Sequence, residues 1–194
     1  MKKIPTLFTR NPEDRRHVIV GEVSPGCEWV IADEGRATIK FDGTCVLILR
    51  DGLAVKGYAR REVKPGKTPP PNWWEVDADP VTGKRVGWEP IEQSGFARFY
   101  AEAVENCGDD DPLTPGTYEL VGPRINGNPE RVNRHLLWRH GGIDIQISPM
   151  SIEGVLAAMK LLADMGREGI VWHHPDGRMA KLKVRDLPSA GDPR

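Results

Sequence analysis

Three short segments carry lysines and carboxylates in patterns that suit chemistry on a phosphate group. Lys40 begins the sequence Lys-Phe-Asp-Gly between two predicted strands, and Glu119 lies inside the apolar run Thr-Tyr-Glu-Leu-Val. Glu168 precedes another strand-like run, with Lys181 and Lys183 across a predicted hairpin. Side chains alternate along a strand, so Lys181 and Lys183 share one face. Two cations on a half-buried face repel each other unless an anion such as a triphosphate lies between them.

Hairpins of short strands must position these side chains. Apolar and β-branched runs bounded by Gly, Asp or Pro predict strands. They cover 17–23, 28–32, 37–41, 45–49, 53–58, 117–121, 136–138, 143–147, 169–173 and 179–184. Asp51-Gly52 is typical of a tight hairpin turn. Helical spacing predicts two helices, 91–107 and 151–165, the second with Ser151 as its N-cap. This pattern predicts an α+β fold with mainly antiparallel sheets and a few helices.

The segment 62–90 differs because it concentrates proline, glycine and tryptophan, including Trp73 and Trp74. Proline at this density cannot occupy a central strand, so we expect a long loop or an inserted hairpin. A length of 194 residues suits one compact domain. We place this domain at 1–186, with a turn at 108–112 and a disordered tail at 187–194.

Composition and charge limit the classes of protein to which this chain can belong. Hydrophobic residues make up 39% and charged residues 28% of the chain, as in a soluble folded protein. There is no apolar run of the roughly 18 residues that a membrane span needs and no signal-peptide pattern. Three widely spaced cysteines without a CxxC pair favour neither a zinc ribbon nor a disulfide framework, and a reducing cytoplasm is the simplest location. The net charge of −1 still allows a local basic groove for nucleic acid.

In their order along the chain, these motifs resemble those of the covalent nucleotidyltransferase superfamily, which includes DNA ligases, RNA ligases and mRNA capping enzymes. The sequence 40–43 is similar to the nucleophile motif, and Arg60 stands where the family has a ribose- or phosphate-contacting arginine. Glu119 matches the acidic residue of the third motif. Glu168 begins the fourth motif, and 181–183 matches the fifth.

Within the superfamily, the chain is similar to small RNA ligases, above all at 118–130 and in the inserted segment. The resemblance implies a nucleotidyltransferase (ATP-grasp-like) ligase core, here expected without the C-terminal OB-type domain of most relatives. Ile39 occupies the position before the nucleophile, where many relatives carry glutamate. Trp138 stands at the family position for an aromatic ring that stacks on adenine, although a core role fits a tryptophan equally well.

The resemblance also implies three nucleotidyl transfers. Lys40 attacks the α-phosphate of ATP to give lysyl–AMP, AMP passes to an RNA 5′-phosphate, and a 3′-hydroxyl displaces it. Lys181 and Lys183 would disfavour protonated Lys40, whose pKa when free is about 10.4, and would stabilise the departing pyrophosphate. Asp42 shapes the turn and accepts a hydrogen bond.

The predicted roles fall into three groups. The catalytic residues are Lys40, Lys181 and Lys183. Those that bind the nucleotide are Ile39, Arg60, Glu119, Trp138, Glu168, Lys181 and Lys183. Glu119 and Glu168 are the predicted ligands of hydrated Mg²⁺ (or Mn²⁺).

We therefore predict an ATP-dependent RNA ligase that acts on RNA 5′-phosphate and 3′-hydroxyl ends in RNA repair, with DNA or an RNA–DNA hybrid as other possible substrates. One alternative is a DNA ligase or a capping-type guanylyltransferase. Another is a catalytically silent module that binds nucleic-acid ends, but such a copy need not retain all five motif lysines and glutamates. Trp73 and Trp74 either stack on single-stranded bases or pack within their own segment. The absence of G-x-x-x-x-G-K-[ST] excludes a P-loop ATPase.

Overall fold

Antiparallel strands dominate the computed structural model, in which residues 2–52, 54–108 and 113–188 are described and contain three α-helices. This confirms the predicted α+β class with mainly antiparallel sheets. The chain forms two compact units. One contains Met1–Lys3 and Asp42–His140, and the other contains Ile4–Phe41 and Gly141–Arg194.

Eleven strands and three α-helices follow one another along the described residues. The strands are β1 (Phe8–Arg10), β2 (Val18–Val23), β3 (Arg36–Lys40), β4 (Thr44–Asp51), β5 (Ala54–Val63), β6 (Trp74–Ala78), β7 (Arg85–Pro90), β8 (Gly116–Val121), β9 (Leu136–Arg139), β10 (Gly169–His173) and β11 (Met179–Lys183). The helices are α1 (Glu28–Ile31), α2 (Ala97–Glu105) and α3 (Ile152–Asp164).

The unit with Ile4–Phe41 and Gly141–Arg194 is built on a three-stranded sheet in the order β11-β10-β3, beside the pair β1-β2. The predicted hairpin of β10 and β11 is found. Ser151 caps α3, since its side chain accepts a hydrogen bond from the Gly154 N–H. Apolar side chains of α3 and of one sheet face form the core. They include Val155, Met159, Leu162, Ala37, Ile170, Trp172, Ala180 and Leu182. The opposite face of β10 and β11 is thus left for polar groups.

The unit with Asp42–His140 contains a six-stranded sheet in the order β6-β7-β5-β4-β8-β9. Aromatic residues of α2 pack on one face of this sheet. The core on that face consists of Val46, Ile48, Ala59, Ile91, Ala103, Tyr118, Leu120 and Ile125. Of the two predictions for 62–90, the inserted hairpin is the one observed, because β6 and β7 pair with each other and β7 continues the sheet beside β5.

Three local predictions are corrected by the structure. The run 28–32 forms helix α1 rather than a strand, and Trp29 and Val30 are both buried, as a helix allows for neighbouring residues. The run 143–147 forms only an isolated bridge between Asp144 and Thr38. The helix predicted for 91–107 is divided, because a 3-10 helix at Ile91–Gln93 ends before α2 begins. Short apolar runs do not distinguish helix from strand, which explains the first error.

The turn predicted at 108–112 and the tail predicted at 187–194 both fall partly outside the described residues, which do not include 109–112 or 189–194. Within the described part of the chain, the helices are all too short or too polar to cross a membrane.

Candidate functional site

Lys40 and Lys183 lie on either side of one glycine. In the register of the three-stranded sheet, Gly169 pairs with Lys40 on β3 and with Lys183 on β11, so the two lysine side chains share a face. A side chain at Gly169 has no room, because an added Cβ would lie 2.0 Å from the carbonyl oxygen of Leu182. The close approach of the β11 backbone therefore requires glycine between the two lysines.

The carboxylate of Glu168 bridges the two lysines. Its Oε2 lies 2.5 Å from Nζ of Lys40, and its Oε1 lies 2.5 Å from Nζ of Lys183. The Glu168 side chain is only 8% exposed, against 19% for Lys40 and 17% for Lys183. Burial works to raise the pKa of Glu168, but the charges and hydrogen bonds of the two lysines outweigh it and bring the pKa below its ordinary value. Glu168 is therefore a carboxylate held between the ammonium groups of Lys40 and Lys183.

Lys181 adds a third ammonium group to this face. It pairs with Val171 in the sheet register, two residues from Lys183, as the alternation predicted. Burial, followed by the charges of Lys183 and Lys40, lowers the pKa of Lys181 to about 8. One carboxylate cannot neutralise three nearby ammonium groups, so this face carries the excess positive charge that attracts a polyphosphate.

Asp186 and Arg10 support Lys183, and neither was found from the sequence. The buried carboxylate of Asp186 accepts a hydrogen bond from the backbone N–H of Lys183 at 3.3 Å and pairs with Arg10 at 2.9 Å. No local pattern marks this pair, because the two residues lie near opposite ends of the chain. Gly169 was likewise visible only as the second residue of the fourth motif.

Ile39 lies on the other face of β3. It pairs with Ile170, a core residue. The next residue, Lys40, lies on the sheet face that also carries Lys181 and Lys183, the lysine face. The Ile39 backbone N–H donates to the carbonyl of Ile143 at 3.0 Å. A nucleotide contact by Ile39 therefore remains a prediction.

The predicted residues of the six-stranded sheet share the face opposite the α2 core. Glu119 pairs with Cys45 on β4 and with Trp138 on β9, so these three side chains lie on one face. Arg60 lies on the same face as Cys45, because its neighbour Ala59 belongs to the core. Arg60 pairs with the buried Trp88, and its Nε is buried with no hydrogen-bond partner within the described residues. The structure thus gathers Arg60, Glu119 and Trp138 on one sheet face.

The carboxylate of Glu119 has two partners on this face. Its Oε1 accepts a hydrogen bond from the N–H of Gly43 at 2.9 Å, and its Oε2 lies 2.7 Å from Nε2 of His140. Glu119 is itself buried. Both carboxylate oxygens of Glu119 are therefore held in place by a hydrogen-bond partner.

The turn at Asp42 and Gly43 is held by side chains that the sequence did not reveal. Asn126 donates to Oδ1 of Asp42 at 3.0 Å and to the carbonyl of Gly43 at 2.8 Å. Glu130, which is buried, accepts from the Asp42 N–H at 2.9 Å. This confirms the prediction that Asp42 shapes the turn and accepts a hydrogen bond. A Cβ at Gly43 would lie 2.3 Å from the carbonyl oxygen of Leu120, so only glycine fits.

The known proteins to which this chain is similar are RNA ligases. A family model described as RNA ligase 1 matches residues 108–189. RNA ligase 1 from Pongo abelii is 27% identical, over 61% of this chain and 48% of that protein. RNA ligase 1 from Danio rerio is 26% identical, over 60% of this chain and 40% of that protein. The chain thus spans less than half the length of these relatives.

Solved structures of Naegleria gruberi RNA ligase are also similar. An apo mutant form has a TM-score of 0.41 with 14% identity, over 94% of this chain and 57% of that chain. A mutant form with ATP and Mn has a TM-score of 0.38 with 14% identity, over 82% of this chain and 53% of that chain.

Proposed function

We propose that this chain is a member of the RNA ligase family and forms the nucleotidyltransferase part of an ATP-dependent RNA ligase, with lysyl–AMP formed on Lys40; its similarity to RNA ligase 1 supports this. The observation that carries the proposal is the bridge of Glu168 between Lys40 and Lys183, with Lys181 on the same face. A nucleophilic amine, a carboxylate partner and two further cations are the groups that transfer of AMP from a triphosphate needs.

The first step of the proposed reaction is attack by Nζ of Lys40 on the α-phosphorus of ATP. An N–P bond forms, and the bond to the leaving pyrophosphate oxygen breaks. Lys40 must first leave its ion pair with Glu168 and lose a proton to solvent water, because an ammonium has no lone pair. The residues fit a divalent ion such as Mg²⁺ or Mn²⁺: held with its waters at Glu168, it would replace Lys40 as the counter-ion of that carboxylate and polarise the phosphate.

Lys181 and Lys183 supply the charge for the leaving group. Their ammonium groups would bind the phosphates in the ground state and stabilise the charge that develops on pyrophosphate. To Arg60, Glu119 and Trp138 we assign the ribose, phosphate and base contacts that the family resemblance implies.

The two later steps join RNA ends. The 5′-phosphate of an RNA strand attacks the phosphorus of lysyl–AMP, so that Lys40 is released as a free amine and the RNA carries AMP. A 3′-hydroxyl then attacks the 5′-phosphate, a phosphodiester bond forms, and AMP leaves. We propose repair of broken RNA as the setting of this reaction.

Incubation with ATP labelled in the α-phosphate tests the proposal. We expect label on the denatured protein from ATP and a divalent metal, none from GTP, and loss of the label when 5′-phosphorylated RNA and a 3′-hydroxyl strand are added. DNA strands of the same sequence serve as the matched control. Label from GTP alone would support capping chemistry, whereas protein that takes label from neither nucleotide would support the end-binding module.

The pH dependence of pyrophosphate binding provides a second prediction. The pKa of Lys181 is lowered to about 8, so its ammonium is charged below that pH and becomes neutral above it. We expect the affinity for pyrophosphate to fall as pH rises through this value, by up to about tenfold per pH unit. The arginine of Lys181→Arg stays charged, so this variant should show a shallower decline by calorimetry. Equal slopes for the variant and the natural protein would remove Lys181 from the phosphate site.

A further inference from the structure

Three different metal-binding side chains converge on the six-stranded sheet. One donor atom each from Cys45, Glu119 and His140 lies within 4.8 Å of the other two. Cys45 and Glu119 are direct cross-strand partners, and His140 follows β9 immediately, with its backbone N–H bonded to the carbonyl of Thr117. The convergence therefore rests on the register of three neighbouring strands rather than on loop geometry.

One buried polar atom of the cluster lacks a hydrogen-bond partner among the described residues. The imidazole of His140 contacts Oε2 of Glu119 through Nε2, while its Nδ1 is buried and finds no hydrogen-bond partner in the described part of the chain. Because the two ring nitrogens face in nearly opposite directions, Nε2 is the atom that can share an ion with Oε2 of Glu119. Glu119 keeps its Oε1 on the Gly43 N–H, so Oε2 can accept an ion without disturbing that bond.

We propose that Cys45, Glu119 and His140 form a binding site for Zn²⁺ or a similar borderline-soft transition metal. Sulfur, imidazole nitrogen and carboxylate oxygen are the zinc donors of proteins, whereas Mg²⁺ takes oxygen ligands. Bonds of about 2.0 to 2.3 Å place tetrahedral donors roughly 3.5 Å apart, so the three side chains need to shift by about an ångström. The thiol proton of Cys45 goes to solvent when the metal binds. Three protein ligands leave a fourth position for water or a ligand.

Titration with Co²⁺ tests this site independently of any ligase activity. Metal-free, reduced protein is titrated under anaerobic conditions, and the thiolate-to-cobalt charge-transfer absorption is recorded. We expect this band to appear with one equivalent of Co²⁺ and to disappear when Zn²⁺ is added, because Zn²⁺ binds such donor sets more tightly. Failure of the natural protein to show the band would overturn the proposal whatever the variants do.

Variants then identify the ligands. Cys45→Ser should lose the charge-transfer band, and His140→Gln should weaken Zn²⁺ binding by roughly 100-fold in competition with a chromophoric chelator. Cys107→Ser is the matched control, since Cys107 is also half-buried but lies outside the cluster, and it should keep both the band and the affinity. A band that survives in Cys45→Ser, or is lost in Cys107→Ser, would place the metal elsewhere. Circular dichroism of each variant shows whether it is folded.

Discussion

We expect replacement of Lys40 by alanine to reduce covalent labelling from ATP by at least about 10³-fold, because Lys40 is the proposed nucleophile. Alanine offers no nitrogen to attack the α-phosphorus, and water cannot form a product that survives denaturation of the protein. The variant should remain folded, because Glu168 keeps its 2.5 Å ion pair with Lys183 when Lys40 is removed. The measurement is label retained on the denatured protein, with circular dichroism as the check on folding.

Lys40→Arg separates the charge of Lys40 from its nucleophilicity. The guanidinium keeps the positive charge next to Glu168 but does not deprotonate in proteins, so this variant should also take no label. Lys56→Ala is the matched control, because Lys56 pairs with Asp51, both side chains are exposed, and the variant should label like the natural protein. If Lys40→Ala still takes label, another residue carries AMP and the proposed mechanism is wrong.

Glu168→Gln is expected to destabilise the protein by about 3 kcal/mol at neutral pH, the cost typical of removing one partner from a buried ion pair. The amide leaves the ammonium groups of Lys40 and Lys183 on a half-buried face with no counter-charge, beside Lys181. Labelling from ATP should fall as well, since the carboxylate proposed to hold the metal is gone. Urea unfolding measures the loss of stability.

The stability lost in Glu168→Gln should depend on pH. The pKa of Glu168 in the folded protein lies below its ordinary value of 4.5. Its contribution to stability is therefore present above that value and is lost as pH falls through the folded pKa. The difference between Glu168→Gln and the natural protein should thus shrink in acid.

Two further measurements test the same explanation. Added tripolyphosphate should restore more stability to Glu168→Gln than to the natural protein, because it supplies the missing negative charge. Glu22→Gln, a change at an exposed position on β2, should alter stability by less than about 0.5 kcal/mol. A Glu168→Gln variant as stable as Glu22→Gln would mean that the lysine face does not depend on its carboxylate.

The sequence by itself determined the features that depend on local chain geometry. Alternation along a strand placed Lys181 and Lys183 on one face, Asp42-Gly43 marked a tight turn, and Ser151 marked the start of a helix. The order of the motifs also resembles that of RNA ligases, and the chain is similar to RNA ligase 1 over 108–189. Where the local signal was a short apolar run, as at 28–32, it was ambiguous and the predicted strand was wrong.

Only the tertiary structure decided which distant side chains meet. Glu168 and Lys40 are 128 residues apart, and their contact depends on the register of β10 with β3. Asn126 reaches Asp42 across 84 residues, and Cys45 faces Glu119 because β4 pairs with β8. Strand register is set by packing of whole sheets, and a shift of one residue would turn Lys40 or Cys45 to the other face. The sequence therefore determined the groups that do chemistry, while sheet pairing decided which of them act together.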